Sequence, residues 1–181
     1  MNLWFRLLKI LLQGLWRPRV PWDERTLLRF RVWPLDLDIN LHMTNARYLA
    51  LMDLGRLNLI LQTGLGRLVV QERWGPVIAS ALVRFRRPLH LFEAFTLSTR
   101  IIGWDEKWIF IEHRIERGNT LVCHALVKGL FMSPRGAVPP ERIARAIGHE
   151  GAAPPLPDWV KDWMAVEAAQ TRFGISNGGE P

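Results

Sequence analysis

Acid, amide and imidazole side chains are concentrated in one short stretch of the sequence, between Pro34 and Tyr48. The residues there that could do chemistry are Asp38, Asn40, His42, Asn45 and Tyr48. A carboxylate can take a proton from water or attack a carbonyl carbon, and amide and imidazole groups can orient the carboxylate or the water. This stretch is therefore the candidate for catalysis.

Two predicted elements position this stretch. Before it, Leu28–Trp33 alternates apolar and basic residues, which is the period-two pattern of a strand with one buried face, and a proline ends it. After it, apolar residues recur at three- and four-residue steps from Asn45 to Gln62, which predicts a long helix capped by Thr44 or Asn45 and ended by Gly64. The polar turn would then lie at a helix N-terminus, where unpaired N–H groups and the helix dipole can stabilise the oxyanion of a tetrahedral intermediate.

The spacing Asp-x-Asn-x-His, followed by x-x-Asn-x-x-Tyr, resembles the signature of the hotdog-fold thioesterases, which are related to 4-hydroxybenzoyl-CoA thioesterase and to the plant acyl-ACP thioesterases. The similarity is clearest from Leu35 to Arg56. It implies hydrolysis of an acyl-CoA or acyl-ACP thioester to free acid and thiol, with Asp38 as general base or nucleophile. Asn40 and His42 match its catalytic partners in the plant enzymes. The resemblance implies neither a cofactor nor a metal ion.

The same resemblance suggests how the substrate is held. The N–H of Asn45 would donate to the carbonyl oxygen, and Tyr48 completes the motif as a substrate-binding residue. Arg84 and Arg86 share one face of a predicted strand and would meet the phosphates of the substrate. One departure concerns the turn itself, because Leu41 stands where many relatives carry the glycine that usually supports a tight turn.

The remaining sequence predicts the sheet. Alternating patterns predict strands at Val77–Arg87, Ala94–Trp104, Lys107–Arg117 and Thr120–Met132. Because hairpin signals such as Gly118-Asn119 join them closely, these strands must be largely antiparallel. Together with the strand before Pro34 they form an antiparallel sheet of about five strands wrapped around one long helix. This α+β arrangement is the hotdog fold that the resemblance implies.

Composition limits the class of protein. At 181 residues and 49% hydrophobic content, the chain has room for one well-packed domain. The single cysteine, Cys123, excludes an intramolecular disulfide and favours a reducing, cytoplasmic setting, and its apolar neighbours predict a buried structural thiol. The net charge of +7 indicates an anionic partner. Residues 1–31 carry seven basic and two acidic side chains, so the excess is N-terminal and does not follow a nucleic-acid groove.

The first 16 residues predict an amphipathic helix. A membrane span needs about 20 apolar residues, and Arg6 and Lys9 interrupt this shorter run, so a transmembrane helix is disfavoured. The helix would either lie in the surface of an anionic membrane or fold onto the domain or into a dimer. Both alternatives stay open at this point.

The chain divides into three predicted parts. Residues 1–21 form the N-terminal helix and linker, and residues 22–148 form the hotdog thioesterase domain. Residues 149–181 form a C-terminal linker, a short helix and a tail, with 174–181 predicted to be disordered. The short helix carries an apolar stripe that predicts a packing face: Trp159, Val160, Trp163 and Val166.

Two other functions remain open. The first is a hotdog protein that binds or hydrates acyl thioesters; the acid that precedes His42 on the same turn disfavours a hydratase of this fold. The second is a membrane-associated scaffold in which Asp38 has no catalytic role. Hotdog relatives build their active sites between subunits, so the resemblance also implies at least a homodimer with Asp38 facing the partner chain.

Overall fold

A computed structural model describes residues 3–14, 16 and 18–172. The tail predicted to be disordered, 174–181, lies outside the described residues. The helices are α1 Leu3–Gly14, α2 Asn45–Gln62, α3 Gly66–Gln71, α4 Pro140–Ala146 and α5 Asp158–Arg172. The strands are β1 Thr26–Arg31, β2 Gly75–Phe85, β3 Ala94–Trp104, β4 Ile109–Arg117, β5 Thr120–Ser133 and β6 Gly136–Val138.

The strands form one antiparallel sheet in the order β1-β3-β4-β5-β2, and β6 pairs with the end of β5. The five predicted strands are therefore present, although β1 begins and ends two residues earlier than its alternation predicts. The sixth strand was not predicted, because its three residues are too few to show a period. It folds back from a tight turn after Ser133, where Gly136 has a φ of 111°.

Helix α2 lies against one face of this sheet, and its bounds are the predicted ones. Its own side chains Leu51 and Met52 are fully buried. At Gly55 the helix approaches β3 so closely that a Cβ atom would lie 2.5 Å from Thr99 Oγ1. The helix ends as its sequence predicts, with Gly64 at a φ of 82° just beyond the last turn.

Helix α5 covers part of the other face of the sheet. Val160 is fully buried and Trp163 is nearly so, and both pack against Phe110 and Leu126. The predicted packing face is thus confirmed for these two residues, whereas the Trp159 and Val166 side chains remain 41% and 58% exposed. The sheet therefore lies between α2 on one side and α5 on the other.

Helix α1 packs beside α2 and turns one polar residue, Arg6, inward together with Ile10. Arg6 and Ile10 are 1% and 2% exposed, so the helix is folded onto the domain. Its apolar residues on the opposite side face outward: Trp4, Phe5, Leu8, Leu11 and Leu12. We call these five residues the outer face of α1. Among the described residues, no helix has the length and apolar content needed to cross a membrane.

Candidate active site

The turn between β1 and α2 is anchored by a buried carboxylate, Asp36, which ends a short 3-10 turn. Its Oδ2 atom accepts hydrogen bonds from the Arg6 guanidinium and from Trp33 N at 2.9 Å. Arg47 Nε lies 3.0 Å from its Oδ1 atom, and Thr44 N donates to its carbonyl oxygen at 2.9 Å. This one residue therefore ties α1, the turn and the start of α2 together.

Asp38 is exposed and is fixed by its own main-chain neighbours. Its Oδ1 atom accepts from Asn40 N at 2.8 Å and from His42 N at 3.2 Å. The main chain closes the same loop, since Asp38 N donates to the carbonyl oxygen of His42 at 2.8 Å. No described residue makes a hydrogen bond or ion pair with Oδ2. One oxygen thus holds the carboxylate still while the other is left free to react.

Leu41 occupies the left-handed region of backbone space, with a φ of 60°. The family resemblance implies glycine at this position in many relatives, and the loop keeps the conformation that glycine favours. A side chain in this region costs about 1–2 kcal/mol. The Leu41 side chain is 70% exposed, so burial contributes little to offset that cost.

Helix α2 presents its first turn to the same region. Thr44 caps the helix, and its side chain accepts a hydrogen bond from Arg47 N at 3.1 Å. The N–H of Asn45, at the first helical position, has no partner within the helix because the chain does not extend back far enough to supply one. This N–H and the positive end of the helix dipole are available to a developing negative charge.

A cavity of about 290 Å³ opens beside the turn. Its lining residues are Asp38, His42, Met43, Asn45, Tyr48, Phe85, Arg86, Arg87 and Pro88. The structure therefore brings together five of the seven predicted site residues. The other two lie outside the lining: Asn40 contributes its main-chain N–H to Asp38, and Arg84 is an exposed residue of β2.

Tyr48 lines this cavity as a buried, uncharged group. The residue is 2% exposed, and its ring meets that of Phe85 edge to face, with 5.3 Å between the centroids. Burial raises the pKa of its hydroxyl to about 12. The phenol therefore stays protonated and can donate a hydrogen bond at any pH at which the protein works.

His42 has a neighbour that the sequence did not reveal. It forms an isolated antiparallel bridge with His90, and the two imidazole rings meet edge to face with 4.8 Å between centroids. These residues are far apart in sequence, so no local spacing points to the pair. Phe85 and Arg87 also went unpredicted as cavity residues; the basic run before Pro88 is the only sequence signal that hints at them.

Two other reactive side chains lie away from this cavity. Cys123 is fully buried, and its burial raises the pKa of the thiol to about 12, as expected of a structural cysteine. His113 is also fully buried, and burial together with the Arg56 charge lowers its pKa well below the ordinary value. Its Nε2 faces Arg56, which can only donate, so Nδ1 carries the proton toward Thr99. Neither group lines the cavity.

Strand β2 forms one edge of the sheet and leads into the cavity. Within the described part of the chain it pairs only with β5, so one side of this 11-residue strand has no strand partner. Several of its apolar side chains are substantially exposed, among them Val77, Leu82 and Phe85. The residues that follow it, Arg86 to Pro88, line the cavity.

Comparison with known proteins finds relatives of this chain. Protein THEM6 of Xenopus laevis is 27% identical over 157 residues, which cover 82% of this chain and 74% of that protein. A probable thioesterase of Saccharomyces cerevisiae is 30% identical over 112 residues, covering 60% and 48% of the two chains.

Solved structures share the fold. A probable thioesterase from Bartonella henselae superposes with a TM-score of 0.57 at 26% identity, covering 64% of this chain and 97% of that one. A 1,4-dihydroxy-2-naphthoyl-CoA thioesterase from Synechocystis gives a TM-score of 0.59 at 12% identity, covering 68% and 95%. These likenesses confirm the predicted hotdog fold. Because the profile of the thioesterase-like superfamily matches residues 32–164, which include the turn, α2 and strands β2 to β6, the chain belongs to that superfamily of enzymes acting on thioester bonds.

Proposed function

We propose that this protein hydrolyses acyl-CoA or acyl-ACP thioesters and that Asp38 is its catalytic acid–base or nucleophilic group. The observation that carries the proposal is the arrangement of Asp38, whose Oδ1 is held by two main-chain N–H groups and whose Oδ2 is free beside the cavity. A thioester is already activated toward attack, so one positioned carboxylate and one set of oxyanion donors suffice.

The reaction follows from these parts. With the thioester carbonyl next to the first turn of α2, the N–H of Asn45 donates to the carbonyl oxygen as it gains negative charge. Asp38 takes a proton from water, whose oxygen forms the new bond to the carbonyl carbon. The C–S bond then breaks, and the thiolate leaves and is protonated. In the nucleophilic variant the carboxylate attacks the carbonyl carbon first, and the C–S bond breaks with loss of the thiolate as the anhydride forms. Water then cleaves the anhydride to the free acid and the Asp38 carboxylate.

The remaining predicted residues take supporting roles. His42 lies in the cavity and is proposed to orient the attacking water, while Asn40 is proposed to act mainly through its N–H to Asp38. Tyr48 is proposed to donate a hydrogen bond to the substrate from the cavity wall. Arg86 is proposed to contact the phosphates of the substrate at the cavity rim, with Arg84 further along β2 meeting the more distant ones.

We further propose that the enzyme is a homodimer formed through β2. The free edge of β2 and its exposed apolar side chains support this arrangement, because an unpaired flat edge is a template for pairing with another strand. A two-fold axis at this edge would bring the cavity-lining segment after Phe85 close to the partner. Asp38 would then face the partner chain.

The setting proposed for the enzyme is the cytoplasmic surface of a membrane. The outer face of α1 supports peripheral attachment, because a folded-down helix with five exposed large apolar side chains is suited to the boundary of a bilayer. The composition, with one buried thiol, supports the reducing compartment.

The experiment that tests the proposed activity is a free-thiol assay over acyl-CoA substrates of increasing chain length, run on the parent protein and on Asp38→Asn. Release of thiol by the parent and its loss in the variant support hydrolysis by this site. A protein that binds acyl-CoA without releasing thiol would instead be a binding protein of the same fold. Hydration of an enoyl-CoA without thiol release would identify a hydratase.

A further inference from the structure

A second, larger cavity lies on another part of the molecule, between helix α1 and strand β1. Its volume is about 750 Å³, within the range of ligand sites, and it shares no lining residue with the candidate active site. We call it the α1–β1 groove. Its lining residues are Arg6, Lys9, Ile10, Gln13, Leu27, Leu28, Arg29, Phe30, Arg31, Trp33 and Ala94.

The α1–β1 groove carries positive charge only. Four of its lining residues are cations, namely Arg6, Lys9, Arg29 and Arg31, and no acidic residue lines it among those described. Arg29 and Arg31 occupy alternate positions of β1, so they extend from the same, exposed face of the strand. Lys9 is exposed on the helix opposite. An anion in the groove would therefore meet cations from both of its walls.

The fourth cation, Arg6, is built into the groove. It is 99% buried, and its Nη2 atom donates to Asp36 and to the carbonyl oxygen of Arg31 at 3.0 Å. The other two guanidinium nitrogens, Nε and Nη1, are buried without a hydrogen-bond partner in the described residues. Asp36 is shared between buried Arg6 and Arg47, whose side chain is 22% exposed, so the three groups together carry one positive charge. The part of this charge that Arg6 carries is buried, so water screens it only weakly.

The position of the groove indicates which class of anion would bind there. Lys9 comes one helical turn after Phe5 and marks the border between the outer face of α1 and the groove. In a helix that lies on a membrane, the apolar side enters the boundary of the acyl chains, and the flanking cations lie at the level of the lipid phosphates. The α1–β1 groove opens along this flank.

We propose that the α1–β1 groove binds the phosphate headgroup of an anionic phospholipid while the outer face of α1 rests in the bilayer. Lys9, Arg29 and Arg31 contact the phosphate oxygens, and the buried charge of Arg6 stabilises the bound anion from below. The proposal rests on the membrane attachment proposed above and is independent of the hydrolytic activity. It makes the attachment selective for lipid charge and fixes the orientation of the domain on the surface.

The test is a vesicle flotation assay with the full chain, comparing vesicles of phosphatidylcholine alone with vesicles that also contain phosphatidylglycerol. The groove variant is Arg29→Gln with Arg31→Gln. The matched control is Arg67→Gln with Arg135→Gln, which removes the same charge from two exposed residues outside the groove. Each cation at an anionic surface contributes enough to change the affinity several-fold, so the groove variant should lose about tenfold or more on phosphatidylglycerol vesicles. The affinity of the control variant for the same vesicles should fall by less than about threefold.

Three outcomes of the flotation assay decide whether the groove binds lipid. Preference of the parent for phosphatidylglycerol, lost in the groove variant and kept in the control, supports the groove. If the groove and control variants lose vesicle affinity equally, the groove proposal is overturned, because net charge alone then explains the attraction. A parent that floats with neither vesicle overturns both the groove and membrane attachment. Thiol release from soluble acyl-CoA is measured in the same preparations, so failure of the hydrolytic proposal appears separately as inactivity of the parent.

Discussion

Asp38 is held in position by main-chain N–H groups of its near neighbours, and no other described side chain bonds to its carboxylate. A turn of this kind is local, so the spacing of acid, amide and imidazole was enough to predict where the carboxylate would lie. The same spacing could not predict Phe85 or His90, because they reach the site through strand pairing and a long-range bridge. Sequence therefore predicted the side of the cavity that the turn and α2 supply, and it missed most of the side that follows β2.

At this scale the first prediction is that Asp38→Asn abolishes most of the activity. The amide keeps the size of the side chain and can still accept the two main-chain hydrogen bonds, but it can neither take a proton nor attack a carbonyl carbon. We expect kcat to fall by about 10²–10⁴-fold, with the far-ultraviolet circular dichroism spectrum and acyl-CoA binding retained. Asn40→Ala and His42→Ala should cost less, because the base survives. A rate within a few-fold of the parent would show that the acid is structural.

The second prediction concerns the backbone at Leu41. Leu41→Gly relieves the left-handed conformation, a gain of about 1 kcal/mol that the greater freedom of glycine in the unfolded chain offsets in part. Urea unfolding should therefore show a free energy of unfolding equal to that of the parent or slightly higher. Leu41→Val, which places a β-branched side chain at the same φ, should lower it. Equal stability of the two variants would mean that the turn stores no strain.

Among the elements, α2 was predicted to the residue because both of its ends carry local signals, a capping threonine and a glycine beyond the last turn. The orientation of α1 was not predictable in the same way. Helical periodicity states which residues share a face, but it does not state which face turns inward. Arg6 is buried because it forms an ion pair in the interior with Asp36, which lies 30 residues later in the chain. The three-residue strand β6 shows no period at all.

The third prediction tests that burial. Removing the guanidinium in Arg6→Met leaves Asp36 with one cation where it had two, so we expect the free energy of unfolding to fall by about 2–3 kcal/mol. Lys9→Met, an exposed position on the same helix, should change it by less than about 0.5 kcal/mol. Urea titrations of both variants measure the difference. Indistinguishable midpoints would show that the buried ion pair does not hold α1 in place.

The fourth prediction is that the free energy of unfolding depends on pH through Glu112. This residue lies on β4, next to β3, β5 and the segment before β1. Burial alone would raise the pKa of Glu112, but a hydrogen bond with His124 at 2.9 Å and the charges of Arg25 and Arg100 lower it to about 2. Because the folded pKa lies below the unfolded value near 4.5, the stabilisation is present above about pH 4.5 and is lost as the pH falls toward 2.

The variant Glu112→Gln should therefore be less stable than the parent by about 3 kcal/mol at neutral pH. The difference should shrink as the pH falls through the window between the two pKa values. Urea unfolding of both proteins across that range provides the measurement, and Glu106→Gln, in an exposed turn, is the control. A difference that stayed constant with pH would place the loss in packing and not in the charge.

For the whole molecule, the sequence predicted the fold class and the pairing of neighbouring strands, since both follow from alternation and hairpin signals. It did not predict which surfaces the folded protein leaves open. The bare edge of β2 and the α1–β1 groove arise only when β2 crosses to the far side of β5 and α1 settles beside β1. These are long-range consequences of the topology.

The fifth prediction addresses assembly. A charge placed at an exposed apolar position of β2, as in Leu82→Lys, would be buried twice in a symmetric interface, so we expect the dimer to weaken by about 10²-fold. Thioesterase activity should fall with it if the partner chain completes the site. The control, Leu12→Lys on the outer face of α1, should leave the mass measured by analytical ultracentrifugation unchanged. A parent that sediments as a monomer at micromolar concentration would exclude the proposed dimer.

The two edges of the sheet differ in a way that limits how many copies can associate. In the part of the chain that the structure describes, the edge at β2 has no partner strand, whereas α1 lies beside the edge at β1 and Arg6 donates a hydrogen bond to the carbonyl oxygen of Arg31. A sheet with two open edges could add copies without end and grow into a fibre, as unprotected strands do. Because α1 obstructs one edge, pairing through β2 would use up the available strand, and growth would stop at a closed pair. Helix α1, which we propose lies on the membrane, would thereby also protect the protein from polymerisation.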